Sequence, residues 1–168
     1  CVVVGQYIYI SCDGSKKIKR VTIGSTSSQA TFKDLSASYT GLGKMTCDAA
    51  GTTLYVIAKK TGDTNYRRLL KIVISTGVVS EISATWDYDI VDVTVIYGGN
   101  ISSSLAGSGM VACAIKQTVA GGSGKILYTA EDPFSAFTAD GAYWGATAKI
   151  FTMCQFRGQL IILSWDSA

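Results

Sequence analysis

The chain of 168 residues contains no histidine, a single proline and, as its only glutamates, Glu81 and Glu131. Without histidine, this chain cannot build the serine–histidine or cysteine–histidine pairs that activate a nucleophile. Histidine is also the commonest nitrogen ligand for metals, and no two cysteines have the CxxC spacing of a zinc site. We therefore predict a protein that is not an enzyme and that binds no metal or cofactor.

Charged residues are also scarce, at 16% of the chain, and the net charge is +3. The basic residues form small clusters at residues 16–20 and 67–71, whereas nucleic-acid-binding proteins concentrate more charge on one face. We interpret both clusters as solvated strand edges and predict no nucleic-acid partner. No apolar run approaches the roughly 20 residues of a membrane-spanning helix, so we predict no membrane span.

The abundant residues favour strands. Valine, isoleucine, threonine, serine and tyrosine are frequent, and 18 glycines accompany the one proline. β-Branched and aromatic residues fit a pleated sheet, and glycine permits the tight turns between strands. Since 48% of the residues are apolar, the chain can bury a core, which argues against disorder.

Three stretches of the chain share a cysteine, a glycine four residues later, and then an alternating apolar run. They are CVVVGQYIYISCD from Cys1, CDAAGTTLYVIAK from Cys47 and CQFRGQLIILSWD from Cys154. A fourth copy, from Cys113, fits if seven residues are inserted before its glycine, Gly124. Strand repeats of this period, separated by glycine turns, indicate the blades of a β-propeller.

The predicted fold is one all-β propeller fragment of about three and a half four-stranded antiparallel blades, a part of a larger ring. The blades are at residues 1–40, 41–86, 87–145 and, incomplete, 146–168. Period-two alternation places strands at residues 2–4, 7–11, 18–23, 30–35, 44–47, 54–59, 69–75, 78–84, 110–116, 125–129, 136–144, 150–155 and 159–164, with an added strand at 89–97. Both chain ends fall inside a repeat. We expect either a piece of a longer protein or a ring that closes by assembly with other chains.

The repeat cysteines, Cys1, Cys47, Cys113 and Cys154, would occupy the same position in successive blades. Such residues lie on equivalent strands, and they do not face one another within a blade. Because unpaired cysteine packs like a small apolar residue, we favour buried, reduced thiols, and disulfides remain the alternative.

One turn, at residues 11–18, resembles the Asp box, the S-x-D-x-G-x-T-W hairpin signature of sialidase-type β-propellers. Here Ser15, Lys17 and Ile18 replace the Gly, Thr and Trp of the pattern. Weaker copies are TAEDPFS, with Glu131 in the Asp position, and the SWD near the chain end. The box implies a structural role, in which the carboxylate accepts hydrogen bonds from backbone N–H groups of the turn. The residues that would stabilise such turns are Ser11, Asp13, Asp132 and Asp166.

Sialidases resemble this chain in scaffold, and they need an arginine cluster, a paired Tyr and Glu, and an Asp acid/base. Arg67 and Arg68 are adjacent, so on a strand we expect them to point to opposite faces. We also expect no tyrosine paired with Glu81 or Glu131 in a site. A glycoside hydrolase of sialidase-like type, with its site residues in missing blades, is therefore the second alternative function.

Three aromatic residues are candidates for binding. Tyr143 and Trp144 lie in the glycine-flanked DGAYWG, and Trp86 lies in WDYD. Exposed aromatic residues at propeller loops stack on sugars or anchor partner proteins, and packing between blades is the alternative role. We interpret the nearby Asp87, Asp89 and Asp92 as solvated strand carboxylates, with Ca²⁺ binding as their alternative.

The chain resembles the propellers of bacteriophage tail and nozzle proteins, which are rich in Ser, Thr and Gly and poor in charge. This resemblance implies a non-enzymatic structural or assembly protein in a virion or outside the cell. Its partners would be other protein subunits, including copies of itself in a homo-oligomer. The first alternative is a carbohydrate-binding propeller that recognises a glycan.

Overall fold

The structure is a computed structural model that describes residues 1–25, 29–83, 88–97, 109–117, 125–139, 148–156 and 159–166. These residues form strands and turns and contain no helix, which confirms the predicted all-β fold class. The described ranges accordingly hold no helix that is long and apolar enough to cross a membrane. The strands form where β-branched and aromatic side chains recur, because such side chains pack well on a pleated surface.

Antiparallel pairing joins the described strands into four sheets, in each of which the strands are neighbours in chain order. The first sheet comprises β1 (Val2–Val4), β2 (Tyr7–Cys12), β3 (Lys17–Thr22) and β4 (Ala30–Asp34). The second comprises β5 (Tyr39–Cys47), β6 (Thr53–Lys60), β7 (Arg68–Val73) and β8 (Val79–Ser83). The third comprises β9 (Tyr88–Ile96), β10 (Met110–Gln117), β11 (Lys125–Ala130) and β12 (Thr138–Ala139). The last sheet is the hairpin of β13 (Ala148–Phe156) and β14 (Gln159–Asp166).

Two strands differ most from the ranges predicted by alternation. β5 begins at Tyr39, well before the predicted 44–47, because Gly41 and Gly43 interrupt the apolar alternation of its first half. Of the strand predicted at 136–144, the described residues include Thr138–Ala139 as strand, and residues 140–144 lie outside the described ranges. The division into blades at 1–40, 41–86, 87–145 and 146–168 remains a prediction.

The structure corrects the repeat position assigned to Cys113. Cys47 and Cys154 lie on β5 and β13, the first strands of their sheets, whereas Cys113 lies on β10, the second strand of the third sheet. The first strand of that sheet is β9, which the alternation predicted as an added strand. The fourth copy is therefore out of step with the other three by one strand of its sheet.

All five cysteines are free thiols, as favoured from the sequence. Their predicted burial is correct for Cys113, which is 0% exposed, and wrong for Cys1 and Cys154, which are exposed. Burial raises the pKa of the Cys113 thiol far above its ordinary value, so that this residue behaves as a neutral core side chain. Cys113 lies in an inner sheet, whereas Cys1 and Cys154 belong to the two outermost sheets.

Consecutive sheets pack face to face, so both inner sheets are covered on two sides. On β6, Leu54 and Val56 pack in a core shared with the first sheet, and Tyr55 and Ile57 pack in a core shared with the third. Strand β10 divides its side chains in the same way between the second sheet and the last. The first strands of consecutive sheets contact each other, β1 with β5, β5 with β9 and β9 with β13. Each inner sheet therefore turns one face to the sheet before it and the opposite face to the sheet after it.

Candidate functional site

An ion-pair network surrounds Asp63, in the loop between β6 and β7. Both Arg67 and Arg68 donate to its carboxylate, at 3.0 Å from Arg67 Nε and 2.7 Å from Arg68 Nε. The expectation that the arginines point to opposite faces is wrong, because Arg67 precedes β7 and need not follow strand alternation. Hydrogen bonds from Arg68 and then Arg67 hold the pKa of Asp63 well below its ordinary value, although burial acts in the opposite direction. Asp63 thus occupies the arginine pair that a substrate carboxylate would need. Arg67 and Arg68 are therefore engaged in ion pairs, whereas the sequence analysis interpreted their cluster as a solvated strand edge.

Glu81 on β8 extends this network and accepts a hydrogen bond from a tyrosine. The Tyr39 hydroxyl lies 2.6 Å from Glu81 Oε2, and Lys60 Nζ and Arg68 Nη1 each lie 3.0 Å from Oε1. Burial alone would raise the pKa of Glu81, but the hydrogen bonds from Tyr39 and Lys60 and the nearby cationic charges lower it. A cavity of about 280 Å³ borders Tyr39 and Glu81 where the first sheet meets the second.

Glu131, after β11, receives hydrogen bonds from two tyrosines on different sheets. Tyr55 of β6 donates to Glu131 Oε1 at 3.0 Å, and Tyr97 donates to the same oxygen at 2.9 Å. The Tyr97 hydroxyl also accepts a hydrogen bond of 2.7 Å from the backbone N–H of Ala49, in the turn after β5. Gly109 makes this arrangement possible, because a Cβ at that position would collide with the Glu131 carboxylate and come within 2.5 Å of the Tyr97 ring. The second and third sheets are therefore joined at one carboxylate.

The expectation that neither glutamate pairs with a tyrosine is wrong, but the pairs are poorly suited to nucleophilic chemistry. Burial and the Glu81 carboxylate raise the pKa of Tyr39 far above its ordinary value. Burial and the charge of Glu131 do the same to Tyr55. A tyrosine that attacks a sugar must give up its proton, and both of these hydroxyls hold theirs more tightly than in water. The geometry favours a structural role for both pairs.

Asp13, predicted to stabilise its own turn, binds the second sheet. Its carboxylate accepts a hydrogen bond of 2.8 Å from the backbone N–H of Leu42 and a longer one, 3.3 Å, from the Tyr66 hydroxyl. Ser11, two residues earlier in the predicted box, donates from its hydroxyl to the carbonyl of Gly43 at 2.8 Å. In the described structure, the predicted box residues Ser11 and Asp13 thus connect the first sheet to β5.

Asp48 performs the turn-stabilising role in the hairpin between β5 and β6. Its Oδ1 accepts backbone hydrogen bonds of 2.7 Å from Thr52 and 3.0 Å from Thr53, and its Oδ2 accepts from the Thr52 hydroxyl. The sequence analysis includes this turn in the repeat from Cys47 but assigns Asp48 no role. An Asp followed by a glycine and two threonines was the available signal.

The other predicted site residues are only partly described. Asp132 is exposed and lies in the connection between β11 and β12, and Asp166 ends β14. The first box-like turn connects the second and third strands of its sheet, and the Asp132 turn connects the third and fourth. The candidate binding aromatics Trp86, Tyr143 and Trp144 lie outside the described residues.

Asp92 is buried, contrary to the expectation of a solvated strand carboxylate. It is 4% exposed, and its Oδ2 lies 3.1 Å from Lys44 Nζ on β5 and 2.8 Å from the backbone nitrogen of Met153 on β13. Asp89 is half-buried and accepts a hydrogen bond of 2.7 Å from the N–H of Tyr66. In the described ranges no group of acidic, cysteine or histidine residues could hold a metal ion. Both carboxylates connect sheets, and Asp92 connects three of them.

The first sheet turns an apolar face away from the core. Val3, Ile8 and Val21 stand side by side in the ladder, and Ile10, which pairs with Lys19, lies two residues further along β2. Side chains on the opposite face of this sheet, such as those of Tyr9 and Ile18, point into the core shared with the second sheet. Val3 is 60% exposed. We call Val3, Ile8, Ile10 and Val21 the first-sheet outer face.

The last sheet also turns apolar side chains away from the core. Cys154 pairs with Ile161, and the next pairs along the hairpin bring Phe156 and Leu163 to the same side. Phe156, Ile161 and Leu163 are 58%, 46% and 61% exposed. Met153 and Ile162 point the other way, into the core shared with the third sheet. We call Cys154, Phe156, Ile161 and Leu163 the last-sheet outer face.

The charged and hydroxyl groups of the networks described above make contacts inside the molecule, whereas Val3, Ile161 and Leu163 on the two outer faces stay exposed. No buried side-chain nitrogen or oxygen of the described part lacks a hydrogen-bond partner. Clustered exposed apolar side chains characterise surfaces that bind protein. The sequence reasoning missed these faces, although the uninterrupted LIIL of β14 signals a strand that is apolar on both sides. Comparison with protein-family models, curated proteins and solved structures finds no match to this chain.

Proposed function

We propose that this protein is a structural assembly component whose stacked sheets are consecutive blades of a β-propeller. The observation that carries the proposal is the pair of outward apolar faces on the first and last sheets, on which Val3, Phe156, Ile161 and Leu163 are exposed. Apolar side chains at both ends of the stack favour burial against further protein, at roughly 25 cal/mol for each Å² removed from water.

The contacts between sheets support a rigid building element. Carboxylates at Asp13, Asp92 and Glu131 each bond across at least one boundary between sheets. The contacts of β1 with β5, β5 with β9 and β9 with β13 are those that adjoining blades make around a propeller axis. A wall or adaptor in a virion, as in phage tails and nozzles, is the setting that we propose for such an element.

The test is the native state of the protein in its source. Native mass measurement and negative-stain imaging should find a particle of several subunits with rotational symmetry. A soluble monomer in the source would contradict the proposal. A symmetric particle without virion components would retain the assembly role and remove the virion setting.

A further inference from the structure

We infer that a cavity between the first and second sheets binds a small organic carboxylate and that Lys33 is the cation that holds it. The cavity has a volume of about 280 Å³ and is lined by residues 33–35 and 37–39 and, on β8, by Val79 and Glu81. We call it the β4–β8 cavity, after the last strands of the two sheets. Sites for drug-sized ligands measure roughly 300–1,000 Å³, so the ligand of this cavity is smaller. The inference does not depend on the proposed assembly function.

Lys33 lies on the face of the first sheet that meets the second. It pairs across the ladder with Ile18, whose side chain is buried in the core between these sheets, and paired residues of neighbouring strands share a face. The Lys33 Nζ is 3.9 Å from the position that a Cβ on Gly77 would take, in the turn between β7 and β8. Lys33 is half-buried and takes part in none of the ion pairs that join described residues. An ammonium without a carboxylate partner in the described part therefore borders the cavity.

The acidic side chains that line the cavity are already paired with cations. Asp34 forms an ion pair of 3.0 Å with Lys17. Glu81 Oε1 lies 3.0 Å from both Lys60 Nζ and Arg68 Nη1. The network that continues from Glu81 has three cations and two carboxylates, namely Lys60, Arg67, Arg68, Asp63 and Glu81. Positive charge is therefore in excess around the β4–β8 cavity, and a cleft in which one sign prevails concentrates ions of the opposite sign.

The lining suits a carboxylate better than a phosphate. A phosphate group carries nearly two negative charges and is bound by several cations or by a cluster of N–H groups. In the described lining Lys33 is the one cation, and the Glu81 carboxylate would repel a second negative charge. A carboxylate needs a single ammonium, and the Ser38 hydroxyl can donate a further hydrogen bond. Leu35 and Val79 offer apolar side chains, so the hydrocarbon part of the ligand packs against them.

Titration of the ¹⁵N-labelled chain with the straight-chain carboxylates from acetate to hexanoate tests the inference. At neutral pH and constant ionic strength, saturable amide shifts should centre on residues 33–39 and 79–81. Each added CH₂ should tighten binding by up to about fourfold, because it packs against the apolar lining. Hexanamide has the shape of hexanoate without its charge, and it should bind at least about tenfold more weakly.

Substitutions at two cavity positions and one control position separate the role of Lys33 from that of general charge. Lys33→Gln should weaken hexanoate binding at least about tenfold, and Lys33→Arg should retain it. Val79→Glu adds a second carboxylate to the lining and should weaken binding by a similar factor. Lys19→Gln is the matched control, because Lys19 pairs with Ile10 on the opposite face of the first sheet, and it should change the affinity by less than about twofold. Circular dichroism with thermal melting checks that every variant is folded.

Any of three results would contradict the inference. The first is that none of the carboxylates produces saturable shifts at the amides around the cavity. The second is that hexanamide binds as tightly as hexanoate, which would mean that the hydrocarbon alone is recognised. The third is that Lys33→Gln binds like the unmodified chain, or that Lys19→Gln loses as much affinity, which would assign binding to the overall charge. The assembly function is judged separately, by the native particle from the source.

Discussion

The second sheet and the last sheet have strands of the same character in different surroundings. In β6 the run from Thr53 to Ala58 is buried, because the first and third sheets cover its two faces. In β14 the similar run LIIL has Leu160 and Ile162 half-buried and Ile161 and Leu163 exposed. Consecutive apolar residues are the pattern of a strand covered on both sides. The comparison teaches that β14 has the sequence of an inner strand and the environment of an outer one.

The largest expected effect comes from a matched pair of leucines on these two sheets. Leu70→Ala on β7 removes a side chain that is 0% exposed and should lower the free energy of unfolding by about 3 kcal/mol. Leu163→Ala on β14 should lower it by less than about 0.5 kcal/mol, because that side chain is already largely in water. Urea unfolding of the dilute chain measures both values. Equal losses would show that the last-sheet outer face is covered within a single chain.

A smaller effect is expected at Asp92, whose carboxylate connects the second and third sheets to the last one. Asp92→Asn replaces one acceptor oxygen with a donor facing Lys44 and the N–H of Met153, and it should cost about 2 kcal/mol. The control is Asp34→Asn, which breaks the exposed pair with Lys17 and should leave the thermal midpoint unchanged. If the two variants melted alike, Asp92 would not hold the last sheet in place.

The smallest expected effect concerns acid and the ion pairs of the second sheet. Because the pKa of Asp63 is lowered on folding, its contribution to stability is present above its ordinary pKa of 3.8 and is lost as the pH falls through the lowered value. The pKa of Glu81 is also lowered in the folded chain, so this residue adds to the loss of stability in acid. Thermal melting should therefore show a midpoint that falls below pH 4, and a shallower fall in Asp63→Asn. An identical pH dependence in that variant would assign the acid sensitivity to other carboxylates.

The sequence predicted the strands because alternation is local, but it could not predict the contacts that join them. Tyr39 and Glu81 are 42 residues apart in the chain, and Tyr55 and Glu131 are 76 apart. No periodicity specifies such pairs, since they depend on which faces of separate sheets meet. Arg67 was misplaced for a related reason, because the strand rule was applied to a loop residue.

The outer faces were present in the sequence but were not recognised as surfaces. The exposed side chains of Ile161 and Leu163 and the half-buried side chain of Ile162 come from one apolar run, so the letters alone do not separate them. Which of these side chains are exposed depends on whether another sheet covers each face of β14, and this is decided by how the sheets pack. The positions of proline and glycine indicate where the turns lie, but they carry no information about which faces another sheet covers.

Tyr66, in the loop before β7, is bound to sheets on both of its sides. Its hydroxyl donates to Asp13, its N–H donates to Asp89, and its carbonyl accepts from the N–H of Ile90. Its ring lies so close to β5 that a Cβ at Gly41 would come within 2.5 Å of the hydroxyl. A transient opening of this one loop would break hydrogen bonds to the first and third sheets together. The three sheets should therefore exchange their amide protons in this region as one cooperative unit, with a protection that belongs to the loop and not to any single strand.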